Sequence, residues 1–450
     1  MPDDDLDERF AEVISGVEES TPLTLPLTRN TRILRIRAEL DRSDPLIWRE
    51  FEIRSDLTLD ILHEVLQVAF AWNGTHLHRF TYDSSRFGDD LVSFVGEYEE
   101  SETDDDSTFP ERRVALHTVL GTPDDELHYV YDYGDHWAVT LTLVSTRAPR
   151  RDDPPIRMID GRRAAPPDDS GGHVDGPSLA RLLDDPEAFD PDTLNAAFDS
   201  LMFQLLTAGV DGRLVDMVDR LYGTELGHRL VMRLADLLVR RRPPSDAERL
   251  EALAPYIWFL DHTAGDGIKL TSAGFLPPTL VKQAADVIPS MRAWVRGVNR
   301  EADAHPVHEF RQSLQSLGLI RKYRGHLVRT KLGTRCHSDP TVLWGVIRRA
   351  ISAYPHDGYP AHEMLLALLH AATTIGAPID RAELADTLSA VGWRDSEGAS
   401  VRDYLVATPW TLPIAVLTEL GEVRTLAATK RVLSPVAREL AREALLLGTR

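Results

Sequence analysis

Apolar and polar positions alternate from Arg32 to Leu40, with Ile33, Leu34, Ile36, Ala38 and Leu40 on the apolar side. This period of two predicts a strand. Asp44-Pro45 signals a turn, and a second alternation from Ile47 to Ile53 predicts its hairpin partner, with Trp48, Phe51 and Ile53 as inward candidates. Thr58 stands where an N-cap belongs, and Leu59, Leu62, Leu66 and Ala69 follow at helical spacing. Asn73-Gly74 is expected to stop that helix, and His76 to Tyr82 reads as a further strand. The acidic run from Glu97 to Asp106 predicts a solvated loop, because like charges at that density repel. It lacks the glycine and final glutamate of a calcium loop. Strand-like sequence returns from His128 to Val144, and residues 148–178 are rich in Pro, Gly and Asp and read as irregular.

From Ser178 onward the pattern is mainly helical. Arg240 to Pro244 reads as a linker, since proline breaks helices. Gly267 to Thr271 is a short strand candidate, Leu276-Pro277-Pro278 opens a helix, and Val307, Phe310, Leu314 and Leu317 lie at helical spacing up to Gly318. Leu319 to Thr330 alternates on either side of Arg324-Gly325, which predicts a hairpin with its tip at that pair. A weaker echo of Leu317 to Arg321 occurs at Leu420 to Arg424, followed by a closing helix from Val436 to Leu447. The expected fold class is α+β: a mostly antiparallel N-terminal sheet with helices, then a mainly helical region with winged-helix-like hairpins. The expected divisions are a flexible arm (1–30), an α+β domain (31–205), a helical connector (206–244), a winged-helix-like domain (245–340) and a second helical, winged-helix-like unit (341–450).

Composition narrows the chemistry. The chain of 450 residues is 43% hydrophobic and 27% charged, which suits several packed cores. Fifty basic residues face 71 acidic ones, a net charge of -21, so the chain as a whole repels nucleic acid and anionic membrane. Residues 292–335 reverse that sign: ten Lys or Arg against three acids, a local +7. The single cysteine, Cys336, excludes an intramolecular disulfide and a cysteine-rich zinc site, and is expected to be a helix-start or buried thiol. The acidic N-terminus lacks a signal-peptide pattern, and no apolar run approaches the roughly 18 residues that span a bilayer. A cytoplasmic location without membrane contact is the expectation.

Several short motifs stand together in the N-terminal half. They are Pro45-Leu46-Ile47-Trp48-Arg49, Leu62-His63, Ala71-Trp72 with His76-Leu77, and Tyr131-Asp132-Tyr133-Gly134-Asp135-His136-Trp137. In combination they resemble the plasmid pRiA4b ORF-3-like family over about residues 31–205. The resemblance implies an α+β roll, a mostly antiparallel sheet packed on helices, and some relatives are described as passenger proteins of insertion elements. Many relatives carry Cys-Pro-Pro-Glu-Asp-Cys-Gly-Gly, where this chain has Ala165-Pro166-Pro167-Asp168-Asp169-Ser170-Gly171-Gly172. Both cysteines are absent, so a thiolate role does not transfer, and the segment is expected to serve as a shaped turn.

The family motif supports two readings. Trp72, Tyr131, Tyr133 and Trp137 are bulky enough for core and strand pairing, and Asp132 and Asp135 flank Gly134 as in a turn that satisfies its own amides. Arg49 beside Trp48 is expected to be a structural ion-pair partner. The other reading gathers His76, His78, Asp132, Asp135 and His136 around a divalent metal, since two histidines two apart on a strand share a face. The structural reading is preferred, and no metal or cofactor is expected. In the C-terminal half, Arg321, Lys322, Arg324, Arg329 and Lys331 are the candidates for nucleic-acid phosphate, expected together on one exposed side of the hairpin. The preferred function is a non-enzymatic mobile-element-associated protein, DNA-associated or regulatory, whose partner is DNA or another protein. The alternative is a metal-dependent hydrolase-like enzyme using the His/Asp motif. No phosphate-binding glycine loop, Gly-x-Ser-x-Gly elbow or His-Glu-x-x-His helix is present.

Overall fold

The structure is a computed structural model, and it describes residues 31–82, 92–96, 99, 108–150, 152–172, 174–239, 242–293, 298–352, 358–406, 416–417, 419–420, 422–424 and 431–447. The expected N-terminal arm, nearly all of the acidic run and Arg240-Arg241 lie outside these residues. The chain forms two compact units, one ending at Ala208 and the other beginning at Gly209.

In the first unit, eight strands form one sheet: β1 (Ile33–Leu40), β2 (Trp48–Arg54), β3 (His78–Tyr82), β4 (Val92–Val95), β5 (Thr108–Pro110), β6 (Glu126–Tyr131), β7 (Trp137–Arg147) and β8 (Ile156–Arg162). Their order is β5-β4-β3-β6-β7-β1-β2-β8, and every pair is antiparallel except β4–β5. The alternation sets one face. Ile36, Ala38 and Leu40 of β1, Phe51 and Ile53 of β2, and Val139, Leu141 and Leu143 of β7 share one core with Leu59, Leu62, Val65 and Leu66 of the helix Leu59–Phe70.

Thr58 takes the N-cap position of that helix with extended backbone, but its side chain makes no capping bond. The helix ends at Ala71, not at Asn73-Gly74: Ala71 is left-handed (φ 57°), and the Trp72 N–H returns to the Gln67 carbonyl at 2.8 Å. This hook carries Trp72 back over the helix end. Tyr131 closes β6 and Trp137 opens β7, so the motif between them is the hairpin turn.

The second unit begins with helices Gly212–Arg220 and Glu225–Leu238. They are part of its core. Leu230, Leu234 and Leu237 are buried, and the Arg233 Nε–H donates to Glu383 Oε1 at 2.8 Å. The proline break at Pro243-Pro244 therefore lies within this unit, just before the capping box of Ser245 and Glu248 that starts helix Asp246–His262. Next come β9 (Ile268–Lys269), helix Pro278–Val287, helix His305–Ser316, and the hairpin of β10 (Ile320–Tyr323) and β11 (His326–Arg329). The three strands form an antiparallel sheet in the order β10-β11-β9. Helices Lys331–Ser338, Pro340–Ser352, Gly358–Thr373 and Arg381–Ala390 follow. A short pair, β12 (Glu422–Arg424) with β13 (Arg431–Leu433), then precedes helix Pro435–Leu447. Cys336 is fully buried. No helix among the described residues is long and apolar enough to cross a membrane.

Candidate functional site

Two regions gather the residues singled out by sequence. The first is the β6–β7 turn. Tyr131 and Trp137 are both buried and pair directly across the strands. Trp72 stacks on both rings, with centroids 5.3 and 6.1 Å away, and on Phe70 at 4.9 Å. Arg49 lies beneath this ladder, 5.1 Å from the Phe70 ring centroid. Among the described residues it makes no ion pair. Its guanidinium donates to the carbonyls of Ala69, Trp48 and Arg162, and burial lowers its pKa to about 10. Carbonyl oxygens at the helix end and strand edge take the place of the expected carboxylate. Trp48 is half-buried, with the Arg37 guanidinium over its ring at 4.1 Å.

Tyr133 departs from the core role expected of it. It is 41% exposed, its hydroxyl donates to Glu99 at 2.9 Å, and Arg79 lies over its ring. The turn lifts it out of the strand alternation. Asp132 is buried, and its Oδ1 accepts the N–H of Gly134 at 2.9 Å and of Asp135 at 3.4 Å, which satisfies the turn. Asp135 bonds outside the turn: its Oδ2 accepts the Gly171 N–H at 2.8 Å.

The segment Ala165–Gly172 is docked on this turn. Its Pro166 carbonyl accepts the Trp72 indole N–H at 3.1 Å, and Asp168 Oδ2 accepts the Asn73 N–H at 2.7 Å. Gly172 has φ 69°, and a Cβ there would stand 2.5 Å from the Asp135 carbonyl oxygen, so only glycine fits. The docking brings in Asp169, which the sequence reading left out of the metal set. His76 Nε2 lies 3.7 Å from Asp132 Oδ2 and 3.2 Å from Asp169 Oδ1. Two adjacent carboxylates in a Pro/Gly loop of the family pattern were the available signal.

His78 and His136 do not join them. His78 Nε2 bonds Glu111 Oε2 at 2.9 Å, and its ring stacks on buried His63 at 3.6 Å between centroids. His76 precedes the first residue of β3, so strand alternation does not govern its direction relative to His78. His136 is exposed at a left-handed position (φ 57°). His63 Nδ1 contacts the Tyr129 hydroxyl at 2.7 Å, which also accepts from Gln67. Burial, with His78 second, holds the His63 pKa well below its ordinary value.

Residues 32–205 match the family model of the plasmid pRiA4b ORF-3-like protein. Over these residues the chain is similar to that family. Over 155 residues the chain is 28% identical to the uncharacterized protein y4hQ of Sinorhizobium fredii (strain NBRC 101917 / NGR234), covering 34% of this chain and 74% of that protein. A protein of unknown function, MM3350 from Methanosarcina mazei Go1, is similar in its crystal structure: 26% identity, 36% of this chain, 97% of that chain, TM-score 0.31.

The second region lies outside the ORF-3-like domain, on the β10–β11 hairpin. Its tip is Arg324-Gly325, both with positive φ (47° and 76°), the geometry of a tight two-residue turn. Arg321, Lys322 and Arg324 are exposed, and the guanidinium carbons of Arg321 and Arg324 lie 5.2 and 5.1 Å from the Tyr323 ring centroid. Register separates the five cations, which do not share one side. Lys322 pairs with buried Leu327 and Ile320 with Arg329, so Lys322 and Arg329 occupy the face opposite Arg321. Arg329 is half-buried and donates to the Leu260 carbonyl at 3.2 Å. Lys331 is exposed on the first turn of the next helix rather than on the hairpin.

Proposed function

We propose that residues 245–340 act as a winged-helix-like module holding nucleic-acid phosphate on the β10–β11 hairpin. The whole chain is then a non-enzymatic, DNA-associated or regulatory protein of mobile-element type. The observation that carries this reading is the exposed pair Arg321 and Arg324 at the Tyr323 ring, with exposed Lys322 on the other face of the same strand, in a chain of net charge -21. Fixed cations of this kind displace counterions from a phosphate backbone, and guanidinium forks suit phosphate oxygens. The order helix, strand, helix, helix, hairpin supports the module assignment. The mobile-element setting rests on the family resemblance of the ORF-3-like domain.

The helix preceding the hairpin qualifies what is recognised. Its single arginine, Arg311, is buried and donates to the buried Glu301 carboxylate at 2.6 Å, while Gln312 and Ser316 are outward. A helix without an outward cation adds little to phosphate binding. The reading is therefore of backbone contact with little choice of sequence.

The test is fluorescence anisotropy of the full chain against two labelled duplexes of unrelated sequence. Comparable affinities are expected, in the range of roughly 10⁻⁴ to 10⁻⁶ M typical of non-specific contact. The triple variant Arg321→Ala, Lys322→Ala, Arg324→Ala should lose binding to both. Absence of wild-type binding, or a triple variant that binds as wild type does, refutes the assignment.

A further inference from the structure

We propose that His76, Asp132 and Asp169 of the ORF-3-like domain form a binding site for a divalent first-row transition metal of the zinc class. The site combines one side chain just ahead of β3, one from the β6–β7 turn and one from the docked loop Ala165–Gly172.

Geometry comes first. One ligand atom from each residue lies within 4.8 Å of the others. Ligands bound to one zinc ion at roughly 2.0–2.2 Å stand somewhat over 3 Å apart in a tetrahedral set. The 3.2 and 3.7 Å separations from His76 Nε2 are already near that spacing. Asp169 supplies the adjustment, because its side chain is 74% exposed and free to swing inward.

The state of His76 points the same way. Its Nε2 atom is buried and makes no hydrogen bond, although two carboxylates stand close by. A buried polar atom is costly to leave without a partner, and native structures rarely do so. A cation between the imidazole and the carboxylates satisfies that nitrogen and neutralises both acids.

The surroundings hold the ligands as metal sites require. Asp132 Oδ1 is occupied by the Gly134 and Asp135 amides, which leaves Oδ2 toward His76. The His76 ring stands edge-on to Tyr131 at 5.7 Å. The loop bearing Asp169 is pinned on both sides, by Asp168 to the Asn73 amide and by Gly171 to Asp135. One imidazole with two carboxylates favours zinc-like ions over calcium or magnesium, which prefer all-oxygen shells. Three protein ligands leave a position for water or for an oxygen of a bound molecule.

The test uses the full chain, stripped with chelator and desalted, titrated with Zn²⁺ against a chromophoric chelator in excess Mg²⁺. One equivalent per chain is expected. Asp169→Asn and His76→Gln should each weaken binding by at least roughly tenfold, the low end for losing even an outer-shell partner. Asp184→Asn, an exposed acid outside the cluster, should leave it unchanged. With Co²⁺ in place of Zn²⁺, wild type should develop visible d–d absorption that His76→Gln lacks. Circular dichroism of each variant verifies that the fold persists. No stoichiometric site in wild type overturns the proposal. So does unchanged affinity in either ligand variant, since that is adventitious binding to an acidic chain.

Discussion

The two hairpin ends of this protein make opposite use of charge. Around the β6–β7 turn the carboxylates and His78 are engaged within the domain: Asp132 with two turn amides, Asp135 with the docked loop, and His78 with Glu111. At the β10–β11 tip, Arg321, Lys322 and Arg324 have no ion pair among the described residues, and the two arginines rest only on Tyr323. Both ends place a non-glycine residue at positive φ, Asp132 at 54° and Arg324 at 47°. Aspartate tolerates that conformation through its own hydrogen bonds, whereas arginine gains none from it. An engaged turn serves the fold, and the buried His76 Nε2 beside it has no hydrogen bond. An unengaged tip leaves its cations to an external anion.

Aromatic deletion should separate the two ends most strongly. Trp137→Ala empties a site that is 1% exposed and should cost about 3–5 kcal/mol. Tyr323→Ala, at a position 48% exposed, should stay within about 0.5 kcal/mol. Hydrogen exchange of peptides spanning each hairpin reads the two effects separately. Equal losses would erase the contrast.

pH distinguishes them too. His63 is held neutral in the folded ORF-3-like domain, so its folded pKa lies below its unfolded one. Stability from this group is complete above the ordinary histidine pKa near 6.5, and it declines as pH falls toward the folded value, because the unfolded chain binds the extra proton. Protection of β6 and β7 should therefore weaken on mild acidification, and His63→Gln should flatten that dependence. His63→Gln should leave the pH dependence of the β10–β11 hairpin as it is, since that hairpin lies outside the ORF-3-like domain.

Backbone space gives a smaller contrast. Gly172→Ala forces a Cβ to 2.5 Å from the Asp135 carbonyl oxygen and should cost about 1–3 kcal/mol by denaturant titration. At Gly325 a Cβ meets nothing within 4 Å, so alanine there bears only the left-handed penalty of about 1–2 kcal/mol. The smallest stability change belongs to Arg324→Asn. Asparagine suits this turn position, so hairpin stability should hold or rise by less than about 1 kcal/mol while phosphate affinity falls. A fall in both would mean that Arg324 supports the fold.

Much of this architecture is legible in local patterns. Period-two alternation places β1, β2 and their buried residues, and the two positive-φ positions at Arg324-Gly325 follow from the pairing on either side. The motif residues of the ORF-3-like domain also carry its family. What escaped the sequence depends on distant parts of the chain. The role of Asp169 arises because its loop docks on a turn more than thirty residues earlier, an approach set by Gly172. The Arg49 partners are backbone carbonyls, which have no signature in residue identity. The five basic candidates were one group by composition, yet strand register turns Arg329 toward Leu260 and leaves Lys331 on a helix. Helices Gly212–Arg220 and Glu225–Leu238 read as a connector because the proline break after them is local, while the bond from Arg233 to Glu383 is not.

Phosphate binding at the β10–β11 hairpin is proposed to be electrostatic. The most direct test is a duplex-DNA titration of the full chain across a range of salt concentrations, repeated with the Arg321→Ala, Lys322→Ala, Arg324→Ala variant. Each phosphate contact contributes a slope of about -0.9 in log K against log salt, so three cations predict a wild-type slope of roughly -2 to -3 that the variant largely abolishes. A wild-type affinity independent of salt, or a variant that retains the wild-type slope, would contradict the account.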